Sequence, residues 1–223
     1  MQRLEINQKV LSKNDEIAKR LREYFKLRSI LALNLVSSPG SGKTTLLEKA
    51  LPILNKRHRL AVIEGDLRTE NDALRLRRLG IDAFQIETWD ACHLEALDIE
   101  RIIPKLADDV ELLIIENVGN LVCTASYDLG EDYTFVLLST AEGDDKPAKY
   151  PIIFLHADFF ILSKIDLLPY LDFNPDRCRD ALLQINSKIE ILPLSAKTGE
   201  GLEPFIDTIS RLLAEKKSND SRL

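Results

Sequence analysis

ILALNLVSSPGSGKTT (residues 30–45) joins a short apolar run to a glycine- and serine-rich turn and then to a helix-forming segment. The apolar run over 30–36 ends in turn residues, which predicts a strand buried in a parallel sheet. The turn follows the pattern G-x-x-x-x-G-K-[ST], with Ser37 in the place of the first glycine and Gly42, Lys43 and Thr44 in the other fixed places. Glycines let backbone N–H groups turn inward onto phosphate oxygens, and the following helix points its positive end at them. Gly40, Ser41, Gly42, Lys43, Thr44 and Thr45 are therefore expected to bind nucleotide. Lys43 is placed for the β- and γ-phosphates, and the Thr44 hydroxyl for Mg²⁺. The alternative is a ligand-free strand-to-helix turn, and the strand-loop-helix context weighs against it.

Working outward, the chain alternates. Strands are expected at 60–64, 83–87, 110–116, 134–139, 158–163 and 188–193, and helices at 44–54, 71–79, 94–106, 175–186 and 202–216. A leading helix over 12–27 carries Ile17, Leu21, Tyr24 and Phe25 at helical spacing, with Ser12 and Asp15 resembling a capping box. Such alternation predicts an α/β fold of the P-loop NTPase type, a doubly wound, mostly parallel sheet flanked by helices. One domain is expected over 1–216, followed by a polar, disordered tail over 217–223.

The 223 residues can bury a substantial core without disulfides. Apolar residues at 45% and charged residues at 30% are those of a water-soluble protein. A net charge of −6 argues against nucleic acid or an anionic membrane as partner. No run approaches the roughly 18 apolar residues of a spanning helix. The N-terminus shows no signal-peptide pattern, and Cys92, Cys123 and Cys178 read as reduced thiols, so a cytoplasmic location is expected.

Acidic residues fall where open parallel sheets place their ligands, at strand C-termini. LAVIEGD ends in Glu64-Gly65-Asp66, and LLIIEN contains Glu116. Asp66 and Glu116 are expected to join Lys43 in catalysis, and Thr44, Asp72 and Glu116 to hold magnesium. Asp72 reads equally well as a helix-start aspartate stabilised by the helix dipole. Downstream, Asp166 in S-K-I-D can accept from the guanine ring N–H and exocyclic amine, a donor pair that adenine lacks on that edge. Lys164 should lie along the base, while backbone N–H groups around Ser195 and Ala196, flanked by Lys197, face the guanine carbonyl. Ser163 stands where asparagine is usual and should tie the base loop to the phosphate loop less firmly.

Cys92 and His93, expected at the start of a helix, and Cys123, just past ENVGN (116–120), offer thiolate and imidazole ligands suited to Ni²⁺ or Zn²⁺. Adjacent helical positions point ~100° apart, an awkward chelate for one ion, so a metal shared between two copies is attractive. Packed cysteines are the competing reading, and Trp89 reads as a packing residue beside them.

In order behind the phosphate loop, GDLRTENDALRL, ACHLEAL, ENVGNLVCTASYDLGE and TAEGDDKPAKYP resemble the hydrogenase nickel-incorporation GTPases, the HypB family, over nearly the whole chain. The resemblance implies a GTPase of the SIMIBI type that dimerises with GTP bound and supplies nickel for [NiFe]-hydrogenase assembly. It implies Cys92, His93 and Cys123 as the metal site, GTP, Mg²⁺ and Ni²⁺ (or Zn²⁺) as ligands, and a nucleotide contact near Lys146. The hydrogenase large subunit and other maturation factors are the partners it implies. Residues 1–30 lack the Cys- or His-rich stretch that many members carry, Leu97 replaces a histidine, Ser163 an asparagine and Thr124 a proline. These departures predict a labile metal site. A urease-type nickel GTPase, whose Cys-Pro-His motif is absent, a metal-free GTP-gated interaction switch and a small-molecule kinase remain the rivals.

Overall fold

The computed structural model describes residues 2–66, 71–88 and 91–220, without the side chains of 2–10, 66 and 220. The Asp66 carboxylate and Trp89, both singled out in the sequence, lie outside the described atoms.

Among the described residues a seven-stranded parallel sheet forms the centre. Its strands are β1 (Leu31–Ser37), β2 (Leu60–Asp66), β3 (Asp82–Glu87), β4 (Leu112–Glu116), β5 (Tyr133–Ser139), β6 (Phe159–Ser163) and β7 (Glu190–Pro193). They lie in the order β3-β2-β4-β1-β5-β6-β7. The chain winds outward in both directions from β1, so the crevice above its C-terminal end is the switch point where ligands bind in such sheets.

One face of the sheet is covered by α2 (Lys43–Leu54), α3 (Asn71–Arg77) and α8 (Leu202–Asp220). Leu46, Leu47, Leu51 and Leu54 of α2 are buried there. Each such burial contributes roughly 1.5–3 kcal/mol, so the helix carrying Lys43 and Thr44 is anchored by its apolar stripe. The other face holds two separate clusters. α1 (Gln2–Leu27) and α4 (Ala96–Ile102) cover β1, β2 and β4; α6 (Pro151–Leu155) and α7 (Pro175–Ile185) cover β5 and β6. A short α5 (Lys146–Lys149) precedes α6. Between the clusters runs a polar seam, in which Asn34 of β1 donates to Glu131 Oε1 at 2.9 Å.

Three expectations are corrected. The leading helix begins at Gln2, so Ser12 and Asp15 lie inside it and not at its start. Cys92 and His93 lie in a bend, because the Glu95 N–H bonds Asp98 Oδ2 at 3.0 Å and fixes the start of α4 at Ala96. Finally, α8 continues through 217–220, part of the stretch expected to be a disordered tail.

Candidate functional site

The phosphate loop turns between β1 and α2 through Gly40 (φ 74°) and Gly42 (φ 101°), left-handed backbone that side chains rarely adopt. Ser37, the departure from the usual glycine, has a structural use. Its hydroxyl donates to Ser38 O at 2.7 Å and receives the Lys43 ammonium at 2.7 Å, holding that cation over the loop. Lys43 and Thr44 are buried at the head of α2. With Pro39, Gly40, Gly42 and Thr45 they line a cleft of ≈ 420 Å³ that also admits Glu64, Asp72, Arg75, Glu116 and Lys164.

A polar row crosses the cleft floor. Register places Gln85 of β3 beside Glu64 of β2, and Glu64 beside Glu116 of β4. Thr44 Oγ1 donates to Glu116 Oε1 at 2.9 Å. Burial, then the neighbouring Glu116 charge, pushes the Glu64 carboxyl up to about 10. Burial raises Glu116 as well, with Lys43 opposing. Glu64 Oε1, Glu116 Oε2 and both polar atoms of the Gln85 amide are buried without hydrogen-bond partners. Orphaned carboxylate oxygens beside a threonine hydroxyl are the donor set of a hard divalent cation. Asp72 reaches the same cleft but is paired with Arg75 at 2.8 Å, whose guanidinium also grips Glu48 at 2.6 and 2.8 Å.

At the other end a pocket of ≈ 240 Å³ is lined by Ser163, Lys164, Asp166, Ser195, Ala196 and Lys197. Ser163 Oγ donates to Ser41 O at 2.7 Å, so the short side chain does make the tie to the phosphate loop. Lys164, held at a positive φ of 58°, reaches back to Gly40 O at 2.8 Å. Ser195 acts differently from expectation. Its N–H is spent on Glu200 O at 2.8 Å, while its hydroxyl orients Asp166 at 2.6 Å. Ala196 N–H is thereby left as the donor for a base carbonyl.

Cys92 Sγ, a ring nitrogen of His93 and Cys123 Sγ lie within 4.8 Å of one another, half-buried. The awkward helical chelate is therefore not what forms: the bend aims both neighbours at one point, with Cys92 Sγ 3.7 Å from His93 Nδ1. The imidazole stacks on Tyr127 at 3.8 Å between centroids, and Nε2 is buried without a hydrogen bond. Burial lowers the His93 pKa, so the ring stays neutral and ligand-ready. Hydrogen bonding to the Cys92 thiol, then burial, raises that of Cys123. Leu97 packs against the core from α4, and the Thr124 hydroxyl donates to Asn120 O. Cys178 is buried among apolar side chains far from this triad. Lys146 opens α5 with its ammonium over the Tyr150 ring, and does not line the cleft.

The cleft and the triad are joined by one segment. Thr44 grips Glu116, Gly119 packs so closely on Pro39 that an added Cβ would lie 3.0 Å from its backbone, and Asn120 Oδ1 accepts from Val122 and Cys123 N–H at 2.7 and 2.9 Å. On the far side Asn14 of α1 takes the Ala96 N–H and donates to Asp128 O, both at 2.8 Å, clamping the two ligand-bearing stretches together. Sequence reasoning named Glu64 at a strand end without giving it a role, and missed Asn14 and Asn117. Glu64 left a local signal, a carboxylate that breaks the apolar run of β2 near its end.

Residues 31–193 match the family described as "CobW/HypB/UreG, nucleotide-binding domain". The chain is 48% identical over 210 residues to hydrogenase maturation factor HypB of Azotobacter vinelandii, covering 93% of this chain and 69% of that protein. It is 49% identical over 205 residues to the HypB of Escherichia coli K12, covering 92% and 71%. The crystal structure of HypB from Helicobacter pylori in complex with nickel superimposes with a TM-score of 0.86 at 42% identity, over 93% of this chain and 96% of that one.

Proposed function

Because the chain belongs to the HypB family of hydrogenase maturation factors, within the CobW/HypB/UreG nucleotide-binding group, we propose that it hydrolyses GTP to gate the capture and release of nickel for a [NiFe]-hydrogenase centre. The carrying observation is the segment 116–123. It contacts the magnesium-type donor Thr44 at one end, presses on the phosphate loop at Gly119, and ends in a metal-ligating thiol. Six residues thus separate the group that responds to nucleotide from the group that holds cargo.

In this reading the amides of Gly40–Thr45 cradle the phosphates, and Lys43, steadied by Ser37, meets the charge that develops on the transferred group. Asp166, aligned by Ser195, and the Ala196 N–H select guanine. Thr44, Glu116, Glu64, Asp72 and, by position, Asp66 hold Mg²⁺, which when bound offsets phosphate charge and orients its oxygens. Glu64 gives up its proton as that charge arrives. No glutamine follows ENVG in the sequence to position water, so unassisted turnover is slow, on the order of 10⁻³ s⁻¹ or below.

The half-exposed triad, flanked by an exposed Val122, suits completion by a second copy of the chain in the GTP state. That arrangement supplies the fourth ligand that a tetrahedral or square-planar site demands. The cargo passes onward to the hydrogenase large subunit or another maturation factor, in the reducing cytoplasm where free thiols persist.

Nickel titrations in GDP and in a non-hydrolysable GTP analogue, with light-scattering mass measured in each state, test the reading. Affinities are expected to differ at least about fivefold, with the dimer favoured by the analogue. Equal affinities and equal masses would refute it.

A further inference from the structure

The segment 116–123 holds Cys123 directly, but His93 and Cys92 come from a different part of the chain, and nucleotide must reach them too if the triad opens as a unit. We infer that Asn117 is the positioning residue that couples nucleotide state to the Cys92–His93 half of the triad; this rests on the nucleotide-gated reading above.

Asn117 directly follows Glu116, and its own N–H bonds Leu35 O at 3.0 Å, just beyond the pairing of β4 with β1. Its side-chain carbonyl accepts the Leu94 N–H at 3.2 Å and the Val118 N–H at 2.9 Å. Its amide donates to Asn34 Oδ1 at 3.3 Å, which continues the seam to Glu131. Asn117, Asn34 and Leu94 are all buried. Leaving a polar group unsatisfied there is costly, so Leu94 follows Asn117 when the segment shifts.

Leu94 is the residue after His93, and its freedom is restricted from a second side. A Cβ on Gly65, at the nucleotide end of β2, would lie 2.8 Å from the Leu94 side chain. Leu94 is therefore wedged between two strand ends that border the phosphates, β2 through Gly65 and β4 through Asn117. Two asparagine carbonyls then do parallel work, that of Asn120 on Cys123 and that of Asn117 on the backbone beside His93. Both halves of the triad hang from one nucleotide-contacting segment.

The test compares nickel affinity with GDP and with a non-hydrolysable GTP analogue in the wild-type chain and in Asn117→Ala. The wild-type ratio is expected to be at least about fivefold and the variant ratio to fall to within about twofold of unity. A general loss of structure would weaken both states and leave the ratio standing. A coupled wild type with an equally coupled Asn117→Ala overturns the role of Asn117 alone, whereas an uncoupled wild type removes the gating reading beneath it. If the variant does not fold, amide exchange in the wild type decides. Protection of the Leu94 N–H should change between the two nucleotides, and identical protection overturns the inference.

Discussion

Glu64 and Glu116 of the nucleotide cleft lie at or near the ends of central strands and are almost wholly buried, whereas the thiols and imidazole of the triad sit on a bend and a short 3-10 turn, half-open to solvent. Glu64 and Glu116 owe their position to ladder register, shared with strands on either side. Cys92, His93 and Cys123 owe theirs to a handful of asparagine contacts made by Asn14, Asn117 and Asn120. Interior strands open only with the whole domain, while segments held by a few side-chain bonds shift at far lower cost. A reaction centre placed in the rigid part and a cargo site in the movable part is the division a gated carrier needs.

The sharpest way to break this division is to remove a ligand from the movable part. Cys123→Ser should weaken nickel binding more than about 100-fold, beyond the roughly 10–100-fold typical of losing an outer partner of a ligand. GDP affinity without metal should stay as in the wild type. Cys178→Ser, in the apolar core, should leave nickel affinity alone while lowering stability by about 1–3 kcal/mol. Competition against a chromophoric chelator reads both; similar losses in the two variants would mean that the triad is not the site.

A smaller effect is expected at the base pocket, part of the rigid region. Asp166→Asn replaces an acceptor with an amide donor beside Ser195, and should reduce the preference for GTP over ATP about ten- to hundredfold. Displacement of a fluorescent guanine nucleotide measures it. An unaltered preference would put base selection elsewhere.

Smallest, and opposite in sign for stability, is Glu64→Gln. Glu64 is raised from 4.5 to about 10, so between these values the folded chain keeps a proton that the unfolded chain has released. This contribution is fully present below pH 4.5 and is lost progressively as pH rises toward 10. The neutral glutamine removes that slope and should stabilise the nucleotide-free protein at neutral pH by on the order of 1 kcal/mol, while impairing hydrolysis. Urea unfolding at pH 5 and pH 8 checks it, and a difference that fails to grow with pH would contradict a raised Glu64 pKa.

The same division decided what the sequence disclosed. The phosphate loop, the alternating strands and helices, S-K-I-D and the soft ligands are local patterns, readable because strand and loop geometry constrain neighbours in the chain. Expectation failed where a local signal took an unusual form. Glu95 in place of the usual serine or threonine obscured the start of α4 and suggested a helix under Cys92 and His93. Continuous helix-forming residues before Ser12 made an interior position look like a cap. Asn14, Asn34 and Asn117 were illegible for a different reason. Their partners lie 23 to 114 residues away, at distances that only the folded sheet creates. Ser37 and Ser163 show the converse, since residues read as departures make the bonds their positions require.

One pleat beneath Gln85, Glu64 and Glu116, the same three strands carry Ala83, Val62 and Ile114, all part of the apolar core. The change from ionisable to oily thus takes place within about 7 Å along the strands, a dielectric step on which the cleft rests. At that step the valence of an arriving ion matters more than its size. Burial disfavours charge on both Glu64 and Glu116. A divalent cation that displaces a proton there adds one positive charge more than a monovalent one does, just where a polyanion must land.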